Sequence, residues 1–195
     1  MDRILLCIFL FVTAASAHAG SGLYYSLDAM SHTMHTETQT DITYSTSSPA
    51  PTSESGTSEK KYAHIGLDMG YKYKRRMTHH FFMTPELHVS NFDSNTLIYG
   101  TNLKLGTEYA RFGVYGIVGV SHIDMLKKNT TNYGLGTEYR ITDTLSLNLE
   151  WQRYSTMKEE TTSVLSLGSQ TVTTATDTNR DLDAIKLGIS IYFHE

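Results

Sequence analysis

The sequence predicts an all-β chain folded as an eight-stranded antiparallel up-and-down transmembrane β-barrel. Three observations carry that prediction. Apolar residues recur at every second position in segment after segment, which is the period of a strand and not of a helix. The segments are near the ~9–11 residues that a tilted strand needs to cross a bilayer. Short and long connections alternate between them, as the two rims of such a barrel require.

The strands follow in order. Residues 23–30 alternate, though not cleanly. From Ile65 to Tyr73 the odd positions are apolar or aromatic, and between them stand Gly66, Asp68, Gly70 and Lys72. Phe81, Met83, Leu87 and Val89 alternate with Thr84, Glu86, His88 and Ser90. Leu97, Tyr99, Leu103, Leu105 and Tyr109 alternate with Gly100, Asn102, Lys104, Gly106 and Glu108. Residues 112–122 are apolar at both parities, so the facing of the fifth strand stays open. Tyr133, Leu135, Tyr139 and Ile141 alternate with Gly134, Gly136, Glu138 and Arg140. Leu145, Leu147, Leu149 and Trp151 alternate with Ser146, Asn148, Glu150 and Gln152, and Ile185, Leu187, Ile189, Ile191 and Phe193 with Lys186, Gly188, Ser190 and Tyr192. The tight turn at 142–144 sets Tyr139 opposite Leu147 and Glu138 opposite Asn148, because opposed residues must share a face.

Two long connections, residues 35–58 and 157–181, hold most of the Ser/Thr excess: 13 of 24 and 10 of 25 residues. Such segments bury little, so they are expected to be mobile loops unless the strands extend out of the membrane, which the Thr alternation would fit.

Residues 1–19 read as a secretory signal peptide. The apolar run 4–15 is followed by Ala17-His18-Ala19, an A-x-A site for cleavage after Ala19. The mature domain is then 20–195. The one cysteine, Cys7, falls in the signal, so no disulfide is expected in the exported part. With 39% hydrophobic and 18% charged residues, net charge −4 and mean hydropathy −0.29, the chain has no basic surface for nucleic acid.

A soluble β-sandwich also alternates. The barrel is preferred because the positions between the apolar ones are small or carry charges of both signs, which suits a narrow lumen. Aromatics also cluster near segment ends, as girdles at two membrane interfaces would.

Lys186, Gly188, Ile191 and Phe193 follow the pattern polar-x-Gly-x-x-hydrophobic-x-aromatic. This resembles the C-terminal assembly signal of outer-membrane barrels, although His194 and Glu195 follow the aromatic. The stretches 134–140 and 145–151 are similar to the penultimate hairpin of small OmpA/OmpX/Opa-like barrels. The resemblance implies residence in the outer membrane of a Gram-negative bacterium. It implies contact with outer-membrane lipid and lipopolysaccharide, and folding by the barrel assembly machinery. It is poorly specific for activity, since one fold hosts adhesins, structural barrels and lipid-modifying enzymes.

Alternation puts Asp68, Lys72, Glu86, Lys104, Glu108, Glu138, Arg140, Glu150 and Lys186 on the lumenal face. An eight-stranded interior is just wide enough for side chains, so these are read as a structural polar network rather than an ion path. Arg140 is expected to bridge Glu138 or Glu150. His88-Val89-Ser90-Asn91 resembles the His-x-Ser-Asn stretch of outer-membrane lipid A deacylases. Here, however, Asn102 stands where that family has an acid, and parity turns His88 and Ser90 inward, so no catalytic site is assigned. His79 and His80 point to opposite faces, and His32 and His35 differ in parity, so no metal site or cofactor is assigned either. Asn129-Thr130-Thr131 matches a glycosylation sequon but reads as a polar loop.

The function expected is non-enzymatic: envelope structure, or contact with a host or cell-surface ligand through the two long loops. The alternatives are a lipid A-modifying hydrolase and a narrow channel.

Overall fold

The computed structural model describes residues 22–45, 50–76, 80–93, 96–167 and 170–194. The signal peptide, with Ala17 and Ala19, lies outside them, as does His79.

Eight antiparallel strands close into one barrel, each bonded to its sequence neighbour and the last to the first. They are β1 (Gly22–Tyr44), β2 (Thr52–Arg76), β3 (His80–Asp93), β4 (Thr96–Tyr109), β5 (Phe112–Ile123), β6 (Lys128–Arg140), β7 (Leu145–Leu167) and β8 (Gln170–His194). In hydrocarbon an unpaired backbone group costs several kcal/mol, so a spanning sheet must close and leave no edge. The β1–β8 ladder, from Gly22↔His194 to Tyr44↔Val172, supplies that closure.

The apolar alternation faces outward. Leu27, Ile65, Leu67, Leu135, Leu149, Ile185 and Leu187 are exposed, which in a bilayer means contact with acyl chains. Aromatic pairs stand toward the ends of the apolar band: Tyr25 edge-on to Phe193 at 5.7 Å, and Tyr133 edge-on to Trp151 at 6.3 Å. The turn at 142–144 is closed by Ile141 N–H donating to the Leu145 carbonyl at 2.9 Å, and Tyr139↔Leu147, Glu138↔Asn148 and Gly136↔Glu150 are opposed.

In β5 the even residues face out: Phe112, Val114, Val118 and Val120 are exposed, whereas Tyr115, Ile117, Ser121 and Ile123 are buried. Ala110 opens the two-residue β4–β5 turn with φ of 53°, a conformation that favours glycine.

Among the described residues, the two long connections are mostly strand. The strands continue through them: β1 runs to Tyr44, β2 starts at Thr52, β7 runs to Leu167 and β8 starts at Gln170. These four strands have 23–25 residues, against 12–14 in β3–β6. A bilayer accounts for ~9–11 of them; the remaining dozen or so per strand project roughly 40 Å beyond it. Period-two hydrophobicity stops there because both faces meet water. Thr and Ser continue the ladders, with Thr40 and Thr176 hydroxyls 3.4 Å apart. The connection after β5 is also tighter than expected. A short 3-10 turn, Asp124–Leu126, leads through Lys127 at φ 49° into β6, which takes in Asn129.

Gly134 faces the lumen where a Cβ would meet the main-chain oxygen of Trp151. Only a residue with no side chain lets β6 and β7 pair there. Gly134→Val should therefore destabilise the barrel by about 1–3 kcal/mol, measured as a lower urea midpoint in detergent; an unchanged midpoint would contradict the packing.

Candidate functional site

The polar positions of the eight strands converge inside the barrel. Asp68, Lys72, Glu86, Lys104, Glu108, Glu138, Glu150 and Lys186 are all buried, and Arg140 is partly exposed at the lower rim. Burying a charge is costly unless it is paired and hydrogen-bonded, and the pairing here is dense.

Lys186 bonds Asp68 and stands 3.3 Å from Glu150 and 3.7 Å from Asp28. Lys104 lies between Glu150 at 2.6 Å and Glu86 at 2.5 Å. Glu150 also accepts from the Tyr115 hydroxyl at 2.8 Å and the Gln152 amide at 3.0 Å. Glu86 accepts from the Tyr24 hydroxyl and from Asn102 at 3.2 Å. Lower down, Lys72 donates to Glu138 at 2.5 Å, and its ammonium sits 4.3 Å from the Phe82 ring centre. Glu138 takes further bonds from Ser146 at 2.9 Å and Tyr192 at 3.0 Å.

Arg140 pairs with Glu108, not with Glu138 or Glu150 as the sequence suggested. Glu138 is held by Lys72, and Glu150 by Lys104 and Lys186. Glu108, which also stands 3.1 Å from Lys74 and 3.4 Å from Lys72, is the carboxylate left at the rim. Asp28 joins the network from the less regular β1.

Above the charges the lumen changes character. Met34, Ile98, Ile123, Tyr154, Met157, Leu182 and Ala184 form a buried apolar layer, joined by Tyr62 and by Leu126 of the 3-10 turn. Parity alone misses part of it, because β7 shifts register between Tyr154 and Met157 and turns both inward.

His88 and Ser90 are buried in the lumen. The His88 Nε2 is 3.1 Å from Ser121 Oγ, which donates to Asn132 at 3.2 Å. Asn102 bonds Glu86 and accepts from Asn132. Within the His-x-Ser-Asn stretch, His88 and Ser90 thus face the interior, while Val89 and Asn91 are on the exposed face. In the C-terminal stretch, Lys186 and Gly188 face the lumen while Ile191 and Phe193 face the bilayer.

The sequence from residue 4 to residue 193 matches the family model described as outer membrane protein beta-barrel domain. The chain belongs to that family. This outer-membrane barrel has no match among curated proteins. Its fold is shared with the outer membrane protein OprG from Pseudomonas aeruginosa, at 12% identity and TM-score 0.54, over 89% of this chain and 97% of that one. Neisserial surface protein A (NspA) aligns at 11% identity and TM-score 0.40, over 90% and 98%. The N-terminal β-barrel domain of Pseudomonas aeruginosa OprF aligns at 11% and 0.41, over 83% and 97%. Family membership places the barrel in the outer membrane of a Gram-negative bacterium.

In this outer-membrane barrel the charges and the apolar layer lie in series along the lumen. Lys186→Met would leave the carboxylates of Asp68 and Glu150 with one cation fewer. It should cost about 3–5 kcal/mol, seen as a fall in the urea midpoint. Arg140→Met, at a side chain 25% exposed, should cost about 1 kcal/mol or less; equal losses would contradict the burial gradient. Planar-bilayer recordings of the purified barrel should show no steady open level, and a stable ion-selective conductance would show that the lumen is passable.

Proposed function

We propose that this barrel is a non-enzymatic surface-interaction protein whose working part is the sheet it raises above the membrane. The barrel is then an anchor, folded by the assembly machinery and surrounded by lipopolysaccharide as its family implies.

The observation that carries this reading is a pair of open strand edges. Among the described residues, β2 pairs with β3 only from Gly66 onward, and β7 pairs with β6 only up to Tyr154. Beyond those points β2, β1, β8 and β7 form a four-stranded sheet. Residues 52–61 of β2 and 158–166 of β7 are exposed on both faces, and on the β7 edge the Lys158 carbonyl already accepts from Lys128. An edge of this kind offers unpaired backbone donors and acceptors to an added strand, with side-chain pockets supplying specificity.

Charges restrain indiscriminate pairing. Glu59, Lys60 and Lys61 stand on the β2 edge, and Lys158, Glu159 and Glu160 on the β7 edge, where Lys in particular disfavours edge-to-edge aggregation. Glu59 is 3.3 Å from Lys61 and 3.5 Å from His35. Glu159 accepts from Arg180 at 2.5 Å, and that guanidinium holds its carboxyl below the usual carboxylate range. Val164 and Leu165, both exposed near the tip of β7, give the sheet an apolar end. The partner this surface fits is an extended, partly apolar peptide segment of a host, matrix or neighbouring-cell protein.

Excising residues 37–57 between the opposed pair Thr36↔Ser58, and 160–177 between Glu159↔Thr178, removes the sheet and leaves the barrel wall. Cells displaying the shortened barrel should keep heat-modifiable migration of the protein on gels. They should lose binding to immobilised matrix proteins and to one another. Undiminished binding by the shortened form would overturn the proposal.

A further inference from the structure

The two open edges of the projecting sheet differ. On β7, Lys128 already occupies the Lys158 carbonyl. On β2, no hydrogen bond among the described residues reaches the outer edge of residues 52–61, which are exposed throughout. The charges on this edge are Glu54, Glu59, Lys60 and Lys61. Glu59 is engaged by Lys61 and His35. Glu54 and Lys60 stand in no ion pair among the described residues. Both occupy even positions, so they share one face of the strand.

We propose that the β2 edge pairs with the β2 edge of a second copy of this chain, antiparallel and centred on Thr57; this rests on the reading that the projecting sheet is the working part. A two-fold axis through Thr57, normal to the sheet, brings the same patch of both copies together and keeps the faces matched. Glu54 of each copy then lies opposite Lys60 of the other. Ser53 meets Lys61, Ser55 meets Glu59, and no like charges are opposed. Moving the axis to Gly56 or Ser58 loses both ion pairs, and moving it to Glu59 or Lys60 sets like charges face to face. The charges that restrain pairing in other registers therefore admit this one.

The surroundings fit. The paired edges add roughly one main-chain hydrogen bond per residue along ~33 Å of ladder. Pro51 has no N–H and ends the donor row just before β2 begins. Thr52 of the second copy reaches Tyr62, short of Gly66, where β3 takes over the edge, so the barrel wall does not obstruct the pairing. Antiparallel pairing inverts the second copy, which places its barrel in a facing membrane. The β7 tip, with exposed Val164 and Leu165, stays open to a different partner.

The test uses the full chain folded in detergent at low salt, with molar mass followed by sedimentation equilibrium. The wild type should form a dimer as concentration rises. K60E sets two pairs of like charges opposite one another and should weaken the dimer roughly tenfold or more. E54K/K60E exchanges the two charges in place and should restore it, while heat-modifiable migration reports an intact barrel in each variant. In a C7S background, T57C should give a disulfide-linked dimer on oxidation, because Cα atoms opposed in an antiparallel ladder lie about 4.5–5.5 Å apart. T52C, whose symmetry mate stands at the other end of the ladder, should not. A wild type that stays monomeric, a double variant no better than K60E, or equal cross-linking of T52C and T57C would each overturn the proposal. None of these outcomes touches the surface-interaction reading, which fails only if the shortened barrel still binds matrix proteins.

Discussion

The ammonium of Lys186 is the point on which the rest of the molecule turns. It rises from β8 and meets Asp28 of β1, Asp68 of β2 and Glu150 of β7. These four strands are the ones that continue past the membrane. Glu150 is shared with Lys104, which carries the connection on to β4 and, through Glu86, to β3. Closing a sheet in lipid forces half of every strand inward, and eight strands leave no room for bulk water. The inward polar groups must therefore satisfy one another. Removing a member strands its partners in a low-dielectric interior, which is why the network acts as one unit.

The bilayer explains what alternation made readable. Lipid demands an apolar outward face, so wherever a strand crosses it the contrast between odd and even positions is sharp. Parity alone set nine charges on the lumenal face and left out Asp28 on the less regular β1. It did not set their partners. Arg140 meets Glu108 of β4, a neighbour set by strand tilt and stagger, which sequence spacing does not encode. The facing of β5 was decidable in principle. The two-residue turn at 110–111 puts Tyr109 opposite Phe112, and since Tyr109 faces out, Phe112 and the even positions after it do too. Its apolar inward residues, Tyr115 and Ile117, hid this, because they fill the lumen rather than face lipid.

Outside the membrane the same rule fails for a physical reason. The projecting parts of β1, β2, β7 and β8 have water on both faces, so no hydrophobic period survives. Composition then resembles that of a loop. What holds these segments extended is the backbone ladder and the β-branched threonines, with pairs such as Thr40 with Thr176 and Thr43 with the carbonyl of Thr173. The register shift in β7 between Tyr154 and Met157 marks the transition. A strand leaving a barrel wall for a freestanding sheet must change its twist, and a bulge supplies that change.

The position of that bulge ties the two halves of the molecule together. It turns Met157 inward beside Tyr154, completing the apolar layer with Met34, Ile98, Ile123 and Leu182. That layer lies where β3–β6 end and the four long strands continue. Below it every buried charge among the described residues has a partner of opposite sign; above it the surface is rich in Ser and Thr and carries exposed charges, some of them in ion pairs such as Arg180 with Glu159. An apolar septum between them separates the lumenal charges from outside water. Stability and display are therefore separated along one axis: the sheet can vary in sequence with little effect on the barrel, while a change in the lumen is felt by every strand that supports the sheet.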